Sequence, residues 1–350
     1  MDVTDACTLA RDFELGAHNT LRVAATARAF AILRRPEAIG PLLEEPGFRA
    51  APVLVLGAGS NVLFATDFPG LIVQPQFAAV AAIEDDGASV LVRVEAGHGW
   101  DAFVTWTLAR GLCGLENLAL IPGRVGAAPI QNIGAYGVEI SECIVVVEAW
   151  DRRLRRPVRL GRDECSFGYR DSIFRRDPDR WIVTALELSL SRRFLPRVAY
   201  AGVREELVAM GITEPTAVDV AEAIRRIRRR KLPDPAVIGN AGSFFKNPVV
   251  PAALARDLGA SHPTMPVHAA GGGLRKLSAA WLIEACGWRG QRVGDAGIST
   301  QHALVLVNHG HATGVELLDL ARRVARSVEE RFGVRLEPEP RIVGAQFSDP

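Results

Sequence analysis

Residues 121–137, IPGRVGAAPIQNIGAYG, decide how this chain is read. Four glycines (Gly123, Gly126, Gly134 and Gly137) and two prolines in seventeen residues break any helix or regular strand, yet the segment is too apolar for a solvated linker. The spacing predicts a backbone wall, because glycine lets a neighbour approach the main chain closely. Gln131, Asn132 and Tyr136 add hydrogen-bonding groups to it. A large flat polar ligand suits such a surface, and so does a packed structural loop; the segment alone leaves both open.

Upstream of the wall the chain reads as strands and turns. APVLVLG (51–57) is an apolar run entering a Gly/Ser/Asn turn, and GLIVQP (70–75) and VLVRVEAG (90–97) are further strands. GWDAFVTWTLARG (99–111) sets Phe103, Val104, Thr107 and Leu108 at helical spacing and reaches Gly111, a glycine suited to a helix end. Downstream, ECIVVVEAWD (142–151) and WIVTALELSL (181–190) are strands flanking CSFGYRDSIFR (165–175). The character changes near residue 196. A helical basic stretch, EAIRRIRRRKLPDP, is stopped by Pro233; GNAGSFFKNP, a Gly-rich tip AAGGG and a helix over KLSAAWLIEACG follow. Thr313 and Glu316 form a capping box before a helix with Leu317, Leu320, Ala321, Val324 and Val328 on one face, closed by Gly333. The tail VRLEPEPRIVG is strand-like but interrupted by proline, as at an edge.

Composition excludes several classes. At 350 residues, 48% hydrophobic and 23% charged, the chain can bury a large core, which rules out disorder and fibres. Forty-one basic against forty acidic side chains leave +1, so no global charge argues for nucleic acid or an anionic membrane. The acidic start MDVTDACTLARDFELG lacks the basic and apolar regions of a signal peptide, and no apolar run approaches the ~18 residues of a membrane span. A cytoplasmic location is expected. The five cysteines (Cys7, Cys113, Cys143, Cys165 and Cys286) show neither paired nor zinc-ligand spacing, so no metal site is expected. Only Lys231, Lys246 and Lys276 are lysine, and Tyr136, Tyr169 and Tyr200 are the only tyrosines.

Five segments have chemical potential of their own. LGAGSN (56–61) follows a strand, but Val62 stands where a dinucleotide fingerprint needs glycine. Gly57, Ala58, Gly59, Ser60 and Asn61 suit either a phosphate-cradling turn or a tight turn between strands. Tyr169 beside Arg170 places a guanidinium able to hold a carboxylate bidentately, or a solvated surface arginine. Ser243 has no histidine in its motif, so a proton donor or a turn cap fits it better than a nucleophile. Glu337 and Glu339 are two apart, on one face of an extended segment with Arg341, where the plain expectation is a surface ion-pair row. The basic run Arg225 to Lys231 reads as a solvated helix face; RNA binding is the minority reading, since no aromatic residues are interleaved.

Taken in order, HNTLRV (18–23), LGAGSN (56–61), LENLALIPGRVGAAPIQNIGAYG (115–137), FGYRDSIF (167–174), KLPDP (231–235), GNAGSFFKNP (239–248), QHALVLVN (301–308) and LEPEPRIVG (336–344) resemble the UDP-N-acetylenolpyruvoylglucosamine reductase (MurB) family. The resemblance spans about residues 18–344. It implies an α+β fold: a two-part FAD-binding domain of the vanillyl-alcohol-oxidase (PCMH) type and a C-terminal α/β substrate-binding domain. The expected divisions are 1–75, with 333–350 packing back on it, then 76–195 and 196–332. FAD, held noncovalently, would contact Gly57 to Asn61 and Pro122, Gly123, Gly126, Ala127, Gln131, Asn132, Gly134, Ala135 and Tyr136. Arg170, Ser243 and Glu339 would be catalytic. Tyr169, Tyr200, Lys231, Asn247 and Gln301 would touch a sugar-nucleotide substrate, with His302 adjoining Gln301. Tyr200 resembles a substrate-clamping tyrosine, although its surrounding VAYAG departs from that subgroup's string. HNTLRV carries Leu21 where the family usually has Phe. A monomer using NADPH as hydride donor is expected.

The implied chemistry is reduction of an enolpyruvyl ether. Its carboxylate lets the double bond accept hydride if the resulting enolate is stabilised, and Arg170 supplies positive charge where that negative charge develops. Ser243 would protonate the other carbon and Glu339 would orient the array. Two alternatives compete. Another FAD oxidoreductase would share the glycine wall without needing GNAGSFFKNP, and an arginine-rich RNA-binding protein would leave the wall without a role.

Overall fold

The computed structural model describes residues 2, 3 and 5–347, so residues 1, 4 and 348–350 of the expected terminal divisions lie outside it. Two compact units emerge, each gathered from separate stretches. The first comprises Met1–Phe13, Ala27–Ala58 and Pro69–Arg229; the second comprises Glu14–Thr26, Gly59–Phe68 and Arg230–Pro350.

The first unit contains two five-stranded sheets. One runs in the order Asp2–Val3, Cys7–Glu14, Thr26–Leu33, Phe68–Pro75, Val53–Val55. Val53–Val55 lies parallel to Phe68–Pro75, so the two strands are joined by a crossover and not by a hairpin. Leu33, Leu71 and Val73 from these strands bury against Ile39 and Phe48. The other sheet is antiparallel throughout, in the order Arg156–Gly161, Ile144–Asp151, Trp181–Ser191, Ser89–Glu95, Val80–Asp85. Along Ser89–Glu95 the pleat puts Val90, Val92 and Val94 on the buried face. The helix Trp100–Leu108 caps that face with Trp100, Phe103 and Val104, and Gly111 follows at φ +66°. Helices Val203–Ala209 and Ala217–Lys231 add Val203, Leu207, Val220, Ile224 and Ile227 to the same core.

In the second unit an antiparallel sheet runs Gly239–Ser243, Val305–Asn308, Ala296–Ile298, Arg292–Val293. The helix Gly314–Phe332 forms as its sequence predicts: Thr313 and Glu316 cap each other's backbone, Leu317, Leu320, Ala321, Val324 and Val328 are buried, and Gly333 ends it at φ +64°. Two elements are shorter than the sequence suggests. In KLSAAWLIEACG the helix is Ala279–Ala285, because Lys276 and Leu277 finish the strand Leu274–Leu277 and Ser278 is the cap. In VRLEPEPRIVG only Arg341–Val343 is strand, parallel to Val62–Phe64. Pro338 and Pro340 have no N–H to donate to a ladder, and before Arg341 this segment makes a single bridge among the described residues, Phe245 to Pro338.

Candidate active site

In the first unit the 121–137 segment is a wall clamped from behind by main-chain contacts. Trp100 N–H donates to the Gly123 carbonyl at 3.0 Å, Val125 N–H to His98 at 2.9 Å, and Gly126 N–H to Ala96 at 2.9 Å. A Cβ on Gly126 would stand 2.6 Å from that of Ala96, so no side chain fits there. Gly134–Ala135 pairs with Val138–Glu139 across a tight turn whose two central residues, Tyr136 (φ +48°) and Gly137 (φ +82°), are both left-handed. Gln131 accepts a hydrogen bond from Arg175 Nη1 at 2.9 Å, which orients its amide. Asn132 is fully buried: its Nδ2 donates to Glu139 Oε2 (2.8 Å) and to the Gly168 carbonyl (3.1 Å), and its Oδ1 accepts from Ser141 N–H (3.1 Å). The Asn132 side chain is thus a brace inside the wall. The Gly57 carbonyl accepts from Gln74 Nε2 at 2.9 Å.

Tyr169 and Arg170 occupy the corner of a second tight hairpin, closed by reciprocal bonds between Gly168 and Asp171 at 3.0 and 3.2 Å. Arg170 is left-handed (φ +52°), its Nη2 donates to the Gly134 carbonyl at 2.6 Å, and its guanidinium lies 5.4 Å from the Tyr169 ring centre. The hairpin is therefore fastened to the wall twice, through Asn132 and through Arg170.

Asn117, Asp101 and Arg228, to which the sequence alone assigns no role in a site, build the rest of this region. Asn117 donates to the carbonyls of Tyr136 and Arg197, both at 2.9 Å, tying the wall to the segment that leads to Tyr200. Tyr200 is half exposed and meets Tyr136 edge-on at 5.4 Å. Arg228 donates to the Leu120 carbonyl at 3.1 Å and hydrogen-bonds the Tyr136 side chain; burial pushes its pKa down, opposed by Tyr136 and Asp101. Arg225 pairs with Asp101 at 3.0 Å, and Asp101 also accepts from Leu120 N–H at 2.7 Å. The basic run is accordingly two-sided: Arg226 and Arg229 face solvent, Arg225 and Arg228 turn inward. Helical periodicity carries that signal, since Ala221, Ile224 and Arg228 share a face.

The second unit gathers HNTLRV, GSN, GNAGSFFKNP and LEPEPRIV. Thr20 N–H donates to the Gly59 carbonyl at 3.0 Å, and Asn240 N–H to the Thr20 carbonyl at 2.9 Å. Asn240 Oδ1 accepts from Gly242 N–H at 3.0 Å, and Gly242 is left-handed (φ +68°). The ladder with Val305–Asn308 slips between Asn240 and Ser243, so Ser243 stands on a bulge, a device that re-aims a side chain. Glu339 N–H donates to the Phe244 carbonyl at 2.8 Å and Asn61 Nδ2 reaches the Glu339 carbonyl at 3.5 Å. Ser243, Glu339 and Asn61 therefore share one neighbourhood. Glu337 instead pairs with Lys246 at 3.2 Å at the surface. Asn247 Oδ1 accepts from Ala279 N–H at 2.9 Å, holding the helix Ala279–Ala285. Gln301 is exposed, whereas the next residue, His302, turns inward: its Nδ1 accepts from Leu304 N–H at 3.3 Å. Burial lowers its pKa, and the nearby charges of Lys231 and Arg289 lower it further.

Residues 27–153 match a FAD binding domain, which together with the α+β architecture sets the class: a flavin-dependent oxidoreductase. Residues 234–343 match the UDP-N-acetylenolpyruvoylglucosamine reductase C-terminal domain. UDP-N-acetylenolpyruvoylglucosamine reductase from Xanthomonas euvesicatoria pv. vesicatoria is 53% identical over 340 residues, 97% of either chain. That from Xanthomonas axonopodis pv. citri is 53% identical over 330 residues, 94% of either chain. The crystal structure of MurB from Thermus caldophilus is similar with a TM-score of 0.65 at 26% identity, over 96% of this chain and 98% of that one. This chain belongs to the UDP-N-acetylenolpyruvoylglucosamine reductase family.

Proposed function

We propose that this chain reduces UDP-N-acetylglucosamine enolpyruvate to UDP-N-acetylmuramate, a step of peptidoglycan precursor synthesis, with noncovalent FAD and with NADPH as hydride donor. The observation that carries the reading is the 53% identity over 97% of a relative bearing that reductase name. The donor chemistry of the first unit fits a dinucleotide. Among the described residues the N–H groups of Gly57, Ala58, Gly123 and Arg124 donate to no carbonyl or side chain, and backbone amides free to point at a ligand suit phosphate oxygens. Gly57 to Asn61, Pro122, Gly123, Gly126, Ala127, Gln131, Gly134, Ala135 and Tyr136 would hold the cofactor, with Asn132 supporting them from behind.

When bound, the flavin supplies hydride taken from the nicotinamide. Arg170 holds the substrate carboxylate and offsets the negative charge that grows on it as the double bond accepts hydride. Its bond to Gly134 and its contact with Tyr169 fix the guanidinium before substrate arrives, so little reorganisation remains. Ser243 Oγ donates a proton to the second carbon, which completes addition of one hydride and one proton across the double bond. A hydroxyl serves only because the carbanionic centre is strongly basic. Glu339 orients this array. Tyr169, Tyr200, Lys231 and Asn247 contact the sugar nucleotide, with Gln301 or the inward-facing His302 beside Lys231. By role we divide the chain into 1–75 with 333–350, 76–195 and 196–332, and we place it in the cytoplasm as a monomer.

The test is anaerobic reduction of the yellow protein by NADPH, followed by parallel reoxidation with the enolpyruvyl sugar nucleotide and with oxygen. Rapid reoxidation by the sugar nucleotide is expected. Reoxidation by oxygen alone would assign the chain to another flavin-dependent reaction.

A further inference from the structure

Arg124 is a cation with no acid beside it. Its Nη1 donates to the Gly97 carbonyl at 2.7 Å, and no carboxylate among the described residues pairs with it. A guanidinium carries five N–H donors, and one carbonyl satisfies only part of that capacity. Burial is the cause that depresses its pKa, as expected of a charge moved from water without a counter-ion. Such an arrangement is costly unless an anion completes it.

The surroundings indicate which anion. Arg124 follows Gly123 in the wall and is bridged to Gly99. Its stem lies along the turn after Val53–Val55: a Cβ on Gly57 would sit 3.7, 3.9 and 4.0 Å from Arg124 Cβ, Cγ and Cδ. The guanidinium is thus carried between two stretches, Gly57–Ala58 and Gly123–Arg124, whose N–H groups have no protein acceptor among the described residues. A fork of donors beside glycine-rich backbone amides suits a diphosphate. The whole arrangement falls within the residues that match a FAD binding domain.

We propose that Arg124 binds the diphosphate bridge of FAD. The proposal rests on the flavoenzyme reading above and adds a charged side chain to a site otherwise built from backbone amides. The UDP-sugar and NADPH are the other diphosphates this protein would meet, and the experiment separates them from FAD.

Full-length apoprotein of the wild type, Arg124→Leu and Arg124→Lys is titrated with FAD while flavin fluorescence is followed, with ADP and adenosine as competitors. Arg124→Leu is expected to raise the Kd for FAD at least about tenfold, and Arg124→Lys to recover part of that loss. ADP should outcompete adenosine on the wild type, and that preference should shrink by a similar factor in Arg124→Leu. Added salt should weaken wild-type binding more steeply than that of Arg124→Leu. If Arg124→Leu does not fold by circular dichroism, the ADP-to-adenosine preference of Arg124→Lys and of the wild type decides. Unchanged FAD affinity in a folded Arg124→Leu overturns the proposal, as does a wild type that does not distinguish ADP from adenosine. A raised KM for the UDP-sugar or for NADPH at unchanged FAD affinity overturns it in favour of that molecule's diphosphate. A wild-type protein that binds no FAD at all refutes the flavoenzyme reading itself.

Discussion

Replacing Gly59 by alanine tests whether the LGAGSN turn is held by backbone shape. Gly59 is left-handed at φ +66°, a conformation that costs a residue with a Cβ roughly 1–2 kcal/mol. The added methyl would also stand 2.1 Å from the His18 carbonyl oxygen and 2.7 Å from Asn19 Cα. That backbone cannot retreat easily. Buried Asn19 donates to the carbonyls of Leu15 (2.8 Å) and Val23 (2.9 Å) and accepts from Val23 N–H (3.0 Å). Overpacking of this kind adds about 1–3 kcal/mol, for a total of about 2–5 kcal/mol. Gly333→Ala is the matched control: φ is +64°, in the same unit, and nothing lies within 4 Å of the new methyl. The assay is thermal unfolding of both variants by circular dichroism. At about 2–4 °C per kcal/mol for units of this size, Gly59→Ala should melt about 2–12 °C below Gly333→Ala. Equal losses would refute the steric argument.

Arg170→Lys should slow flavin reoxidation by the enolpyruvyl substrate at least about tenfold, or roughly 1.4 kcal/mol, because a point charge replaces a bidentate fork and loses the bond to Gly134; unchanged reoxidation in stopped-flow absorbance would remove Arg170 from the site. Ser243→Ala should leave reduction by NADPH near normal while reoxidation by the substrate collapses, since only that half-reaction needs the proton, and equal slowing of both would return Ser243 to a structural role. His302→Gln should flatten the acid side of the stability profile. Because the folded pKa of His302 lies below the ordinary 6.5, the unfolded chain binds more protons as pH falls from 6.5 to the folded value, so stability is lost across that window. Melting temperatures from about pH 7.5 to about 5.5 that fall equally in wild type and His302→Gln would contradict this.

What was legible in the sequence followed from periodicity and from glycine. The runs at 53–55, 90–95 and 181–190 became strands because alternating or continuous apolar residues have a face to bury, and the Thr313 cap and Gly333 stop bounded a helix by local chemistry alone. The irregular wall was legible for the same reason in reverse, as a place where neither period holds. What escaped was direction. Asn132 looks like a ligand group but faces inward to three protein partners. Arg228, inside a run that reads as solvated, turns toward Tyr136. Of the neighbours Gln301 and His302, the histidine faces inward, a distinction set by the turn before Val305–Asn308. Ser243 is aimed by a bulge at Gly242 that motif spacing does not reveal.

The left-handed residues bind these observations together. Among the described residues eight non-glycine residues have positive φ, and four of them, Leu120, Asn132, Tyr136 and Arg170, lie in the wall, immediately before it, or in the hairpin fastened on it. Each such residue costs of order 1–3 kcal/mol and persists only where its surroundings over-determine it. The braces are identifiable: Asp101 and Arg228 grip Leu120 by its N–H and its carbonyl, Asn117 grips Tyr136, the Asn132 side chain reaches Glu139 and Gly168, and Arg170 holds Gly134. In each case a buried or half-buried polar side chain offsets strain in a backbone that a relaxed loop would not adopt. A loop serving only to connect elements has no reason to concentrate strain and bracing in this way. A surface that must present main-chain donors and one guanidinium in fixed positions does, because geometry held in advance is not lost again when ligand binds.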